Sequence, residues 1–253
     1  MPETNLPVWY LQPGTKDDQG KFTRANQASA VLVAARKNGE NEAHKFLVTV
    51  QHAIRPLEEP PRGLYYRAFR AWPPDFAYHD TLAKSAELFD DLTPAEGAPF
   101  AGAEDLAFLK IGDATGSPPA ALIDDAQYTE DLEELKIAGY PGGEHLMTTH
   151  KGFVKPETYK NWRLVQRNVP DAIGIIGPGE GTPLKGVSGG GVFFRDRLIG
   201  IYRGMFEATG QHVLLPVSRL REWCQLRGYE MVSLAAIAQP SERAKEPDRY
   251  PKK

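Results

Sequence analysis

The chain has 253 residues, 41% of them hydrophobic and 25% charged, with 24 glycines and 21 prolines. That is enough apolar content to bury a sizeable core and too many turn formers for a helical bundle or a disordered chain. A formal net charge of -3 gives no overall reason to expect nucleic acid or an anionic membrane as partner, and the single cysteine, Cys224, excludes an intrachain disulfide framework.

No run of about 20 apolar residues reads as a membrane span. The opening MPETNLPVWYLQPG lacks the basic start and apolar stretch of a signal peptide. The expectation is therefore a cytoplasmic protein in a reducing compartment.

In chain order, short β-prone runs recur between Gly, Pro, Asn and Asp clusters. They cover 28–35, 46–50, 64–71 and 105–111, then 135–140, 147–154, 162–166 and 172–176, and finally 191–194, 198–202 and 213–217. The segment 56–63, PLEEPPRG, reads as a surface loop. Residues 81–90 are expected to form a short helix. The acidic, turn-rich stretch 112–134 reads as the connection between two groups of strands. Ser218 is a candidate cap for a helix reading RLREWCQLR, with Gly228 as its stop signal. From Gln239 onward the chain is polar and proline-containing, with the composition of a disordered tail.

Three segments carry chemistry. GVSGGG, 186–191, runs straight into the apolar strand VFF, and its glycines let the backbone turn sharply and approach a substrate. The N–H groups of Gly186 and Ser188 could there converge on a developing oxyanion. FLVTVQHAI, 46–54, places His52 immediately after an apolar strand, with a core on one side and room for a cleft on the other. EDLAFLKI, 104–111, places Asp105 at the start of another. A serine hydroxyl is a poor nucleophile at neutral pH, so it needs a base and a group that orients the base. Ser188, His52 and Asp105 are the candidates. Taken singly, the histidine is more often structural and the aspartate more often a turn former.

Together these stretches, TVQHA, DLAFL and GVSGG, resemble the trypsin-like, or chymotrypsin-fold, serine peptidases, in the family's order of His, Asp and Ser. Asp105 follows His52 by 53 residues (105 minus 52), and Ser188 follows Asp105 by 83 (188 minus 105). The similarity runs from about residue 28 to 228. KIAGYPGG followed by MTTHKGFV looks like the opening hairpin of the family's second barrel, LIGIYRG like its substrate-binding strand, and HVLLPVSRLREW like its last strand and C-terminal helix.

The resemblance implies an all-β fold of two antiparallel six-stranded β-barrels with a C-terminal α-helix. An N-terminal segment, 1–27, would precede a first barrel, 28–123, carrying His52 and Asp105. A second barrel with the helix, 124–229, would carry Ser188, ahead of a tail, 230–253. It further implies a serine endopeptidase working through an acyl-enzyme on protein or peptide substrates, with no cofactor and no metal. Gly186 and Ser188 would form the oxyanion hole, and Thr182, Tyr202, Arg203, Gly204 and His212 the substrate pocket. Thr182, six residues before Ser188, stands at the pocket base, so no acid is there to select Arg or Lys. Thr182 with His212 could instead bond a polar or acidic side chain.

The sequence also departs from the family. Val187 stands where its zymogens carry an Asp that pairs with a new N-terminus, which implies that activation by trimming is not used. Ala53 replaces the usual cysteine. Two alternatives stay open: a peptidase-like binding or regulatory domain with a latent or inactive site, and an esterase using the same nucleophile; an active peptidase of this kind could be restrained by a regulatory protein partner, a narrow specificity or a disordered oxyanion loop. His44, His79, His145 and His150 show no paired metal-ligand spacing, and GPGEGTPLKG lacks the ending of a phosphate loop.

Overall fold

The structure is a computed structural model that describes residues 6–24, 26–54, 64–70, 84–91, 105–111, 119–122, 132–141, 157–169, 173–177, 184–206 and 210–232. Strands β1 (Val8–Lys16), β2 (Phe22–Arg24), β3 (Ala28–Lys37) and β4 (Ala43–Thr49) lead into a four-residue helix, α1 (Gln51–Ile54). Strands β5 (Leu64–Arg70), β6 (Lys84–Asp91) and β7 (Ala107–Ile111) follow. After them come β8 (Ala121–Leu122), β9 (Leu135–Gly139), β10 (Glu157–Val169), β11 (Ile173–Gly177), β12 (Gly191–Phe194), β13 (Arg197–Phe206) and β14 (Gln211–Pro216). The chain closes with helix α2 (Val217–Leu226) and strand β15 (Tyr229–Met231).

The strands form two sheets. The first has eight strands in the order β15-β3-β4-β7-β6-β5-β1-β2, and β1 also pairs with β3, so its pairings return to their start. The second has seven, β12-β9-β10-β11-β14-β13-β8, with β12 also paired to β13. All pairings are antiparallel except β8 with β13.

The long apolar runs of the second sheet are explained by burial on both faces. Successive side chains of a strand point to opposite sides. Ile137, Val192, Tyr202 and Leu214 enter a cluster within the second sheet, while their neighbours Ala138, Phe193, Ile201 and Leu215 join the larger core that includes the first. A strand buried on both faces shows no alternation in sequence. β3 reads ASAVLVAARK for the same reason, buried at every position from Ala28 to Ala35.

Helix α2 turns Val217, Leu220, Trp223 and Cys224 inward, the spacing of one helical face. Trp223 stacks flat on Phe108 of β7, with ring centroids 3.5 Å apart, and so ties the helix to the first sheet. Gly228 follows at φ +73°, a conformation that costs glycine least, and the chain reverses into β15 against β3.

Two expectations need correction. Lys84–Asp91 is a strand, not part of a helix over 81–90. KSAELFDD carries helix-forming residues, but pairing with β5 on one side and β7 on the other decides its form. Residues 81–83 lie outside the described residues. Ser218 lies inside α2, and the N-cap is Pro216, in extended conformation and without a side-chain cap. β14 runs into the helix with no loop, so the helix begins a residue before the serine. The segment before residue 28 contributes β1, whose Trp9, Tyr10 and Leu11 are buried and whose strand pairs with both β3 and β5. Of the stretch after residue 229, Glu230 and Met231 pair with β3.

Candidate active site

His52 lies on α1, directly after β4. Ala53 and Ile54 are driven into the core, which leaves the His52 side chain about half exposed at 52%. Asp105, two residues ahead of β7, faces it. Asp105 Oδ1 accepts the His52 backbone N–H at 2.8 Å, and its Oδ2 lies 2.5 Å from His52 Nδ1. Gln51 N–H bonds the Asp105 carbonyl at 3.3 Å, so the two strand ends are laced through backbone as well. The Asp105 side chain is 12% exposed. Burial pushes its pKa up, but the hydrogen bond and charge of the His52 ring, the His52 backbone N–H and Arg203 outweigh this, holding it below the usual carboxylate value.

Arg203 was expected in the substrate pocket; its Nε also donates to Asp105 Oδ2, at 3.2 Å. The same strand, β13, reaches the serine. A Cβ placed on Gly204 would lie 3.9 Å from Ser188 Oγ. Adjacent residues of β13 therefore touch Asp105 and approach Ser188, so one strand runs past both the aspartate–histidine pair and the serine loop. Among the described residues Ser188 Oγ makes no hydrogen bond, so the link from hydroxyl to His52 is open in this structure.

The serine loop is held by nearly complete backbone pairing. Val187 N–H bonds the Leu184 carbonyl at 3.1 Å, closing a turn whose third residue, Gly186, sits at φ +85°. That is the φ of the third position of a type II turn, which favours glycine. Gly190 N–H bonds the Val187 carbonyl at 2.7 Å, and Gly189 N–H bonds the Tyr202 carbonyl at 2.8 Å. The Ser188 carbonyl accepts from Ser29 N–H, and the Gly186 carbonyl from Ser29 Oγ. Across 186–190 two N–H groups have no partner among the described residues, those of Gly186 and Ser188. Gly186 and Ser188 are both partly exposed, so these two N–H groups are open to solvent or to a ligand. Val187 anchors the loop from below, fully buried in the second cluster.

Of the other expected pocket residues, Tyr202 and His212 meet. The Tyr202 hydroxyl and His212 Nδ1 are 2.7 Å apart, and the Trp162 ring stands edge-on to His212 at 4.6 Å. His212 is fully buried, and its Nε2 has no partner among the described residues. Burial therefore lowers its pKa from 6.5. A histidine kept neutral by folding lends stability that is complete above the unfolded value, near 6.5, and lost as pH falls through the folded one. The melting temperature should accordingly drop on acidification below about 6.5, and His212→Gln, neutral throughout, should flatten that limb. Parallel curves for the two proteins would contradict it.

Thr182 lies outside the described residues, as do His79, His145 and His150. Among the described residues no cluster of His, Cys, Asp and Glu could hold a metal ion. Cys224 is buried, which pushes its thiol up to about 12 against the small lowering effect of Arg227, and so is no nucleophile. Two further residues belong to the site, Ser29, which bonds the serine loop from the first sheet, and Thr49, which bonds Ser29. Their signal was a polar residue inside an otherwise apolar run, ASAVLV and FLVTV.

In comparisons with known proteins, no family model matches the chain, and no curated protein matches it.

Proposed function

We propose that the protein is a serine endopeptidase built on two six-stranded β-barrels, hydrolysing peptide bonds through Ser188, His52 and Asp105. The cyclic pairings of the two sheets support the barrels. The observation that carries the activity is the pair of free N–H groups at Gly186 and Ser188, on a loop whose other amides are bonded, beside a strand that also reaches an aspartate–histidine pair. In this reading Ser188 attacks the scissile carbonyl, and His52 takes its proton and passes it to the leaving amine. Asp105 fixes the imidazole tautomer, and the two N–H groups stabilise the oxyanion. The substrate is a protein or peptide, with Tyr202, Arg203, Gly204 and His212 beside its binding strand, and the setting is the cytoplasm.

A second reading is favoured by one observation, the absent bond between Ser188 Oγ and His52. In a latent form the hydroxyl would turn toward the imidazole only when substrate or a regulatory partner engages the loop. Hydrogen bonds of this kind often tighten only in the complex. A fluorophosphonate probe separates the two readings. Labelling of the wild-type protein at Ser188, absent in Ser188→Ala, is the expected result; silence even at high probe concentration would leave the latent domain as the better account. Comparing ester with peptide substrates at the labelled site then tests whether the enzyme is an esterase.

A further inference from the structure

Ser29 is the second residue of β3, in the first sheet, and is fully buried. Every polar atom it owns faces the second sheet or the strand that leads to His52. Its Oγ–H donates to the Gly186 carbonyl at 2.9 Å, and the same oxygen accepts Tyr140 N–H at 2.8 Å. Its N–H donates to the Ser188 carbonyl at 2.8 Å, and its carbonyl accepts the Thr49 hydroxyl at 2.7 Å, three residues ahead of His52. The fit is close on all sides. A Cβ on Gly189 would fall 2.0 Å from the Ser29 carbonyl oxygen and 2.1 Å from Thr49 Oγ1, and one on Gly139 would fall 2.9 Å from Ser29 Oγ.

We infer that Ser29 is a positioning residue for the oxyanion site, its hydroxyl and its amide gripping the serine loop on either side of Val187 so that the Gly186 and Ser188 N–H groups stay at a fixed separation. The loop between those two N–H groups has one carbonyl tied at each end to a single residue of the other sheet. A buried carbonyl that loses its donor turns to find another or to reach water. With the hydroxyl gone, the Gly186 end is released while the Ser188 end remains on the Ser29 amide. The distance between the two donors then changes, although the serine stays in place. Two-donor sites lose most of their benefit when displaced by a fraction of an ångström. The Thr49 link adds that the residue aligning the oxyanion site is bonded to the strand that carries the base.

The inference rests on the peptidase reading, and Ser29→Ala tests it. The expected result is a fall in kcat of about 10², the scale of losing one oxyanion donor, with KM within about threefold. A peptide aldehyde, which binds as a tetrahedral adduct, should lose affinity by a similar factor, whereas the uncleaved peptide product should not. A residue that serves only to hold the sheets together would lower the melting temperature and leave kcat and aldehyde affinity of the folded protein unchanged. That outcome overturns the inference. Amide exchange over 184–190 gives a readout that needs no turnover, faster in Ser29→Ala than in wild type if the clamp is real. Should wild type neither cleave nor label, the peptidase reading falls, and equal exchange in the two proteins would then remove the clamp as well.

Discussion

Ser188→Ala should lower turnover on the order of 10⁶, and His52→Ala by a comparable factor, with the double variant no worse than either alone. The expectation follows from how the residues act. A serine without a base is no better than water as a nucleophile at neutral pH, and a base without a nucleophile has no proton to take. Each single change therefore removes the same step. In the proposed mechanism what should survive is stabilisation by the Gly186 and Ser188 N–H groups, which alanine at 188 leaves in place because they belong to the backbone. Both variants should also fold. Ser188 Oγ makes no hydrogen bond among the described residues, and the His52 side chain is 52% exposed, so neither change opens a cavity in the core. The measurement is single-turnover cleavage of a peptide pool by purified wild type and variants of matched melting temperature. Cleavage by Ser188→Ala at the wild-type rate would end the assignment.

How far the site can be read from residues depends on whether its chemistry is local. His52, Asp105 and Ser188 each end or begin an apolar run, and a polar residue at the rim of a buried strand is visible without knowing what the strand packs on. The candidate strands at 46–50, 105–111 and 191–194 were legible for the same reason: the apolar run itself defines them. Lys84–Asp91 was not, because its strand form is imposed by β5 and β7 on a helix-tolerant composition. β1 was hidden because Pro13 and Gly14 interrupt its apolar run. In the fold they mark the end of the pairing with β3 and the point where β1 meets β2, where a Cβ on Gly14 would strike the Phe22 ring. The Arg203 to Asp105 pair spans 98 residues and joins the two sheets, so no local pattern could announce it.

That ion pair sharpens the second large expectation, a loss of roughly 10⁴ in kcat for Asp105→Asn. The carboxylate accepts three N–H groups, the His52 backbone on Oδ1, and His52 Nδ1 with Arg203 Nε on Oδ2. An amide has one acceptor oxygen and one donor nitrogen. If the oxygen stays on the His52 backbone, the nitrogen faces Nδ1 and the guanidinium: it opposes Arg203 and fixes the imidazole with its proton on Nε2, where it cannot accept from Ser188. If the amide turns over, its nitrogen opposes the His52 backbone N–H instead, and α1 loses its tether. Either way the base is in the wrong tautomer or out of place. The variant also reports on stability. Asp105 is held below its ordinary value chiefly by the His52 ring, against the opposing effect of burial, so the stability it lends is present above the unfolded value near 3.8 and is lost as pH falls through the folded one. Asn has no such proton to bind. Melting curves of wild type should therefore fall more steeply below about 3.8 than those of Asp105→Asn, while the kcat deficit persists at neutral pH. An Asn variant that kept near-wild-type turnover would show that this aspartate does not orient the base.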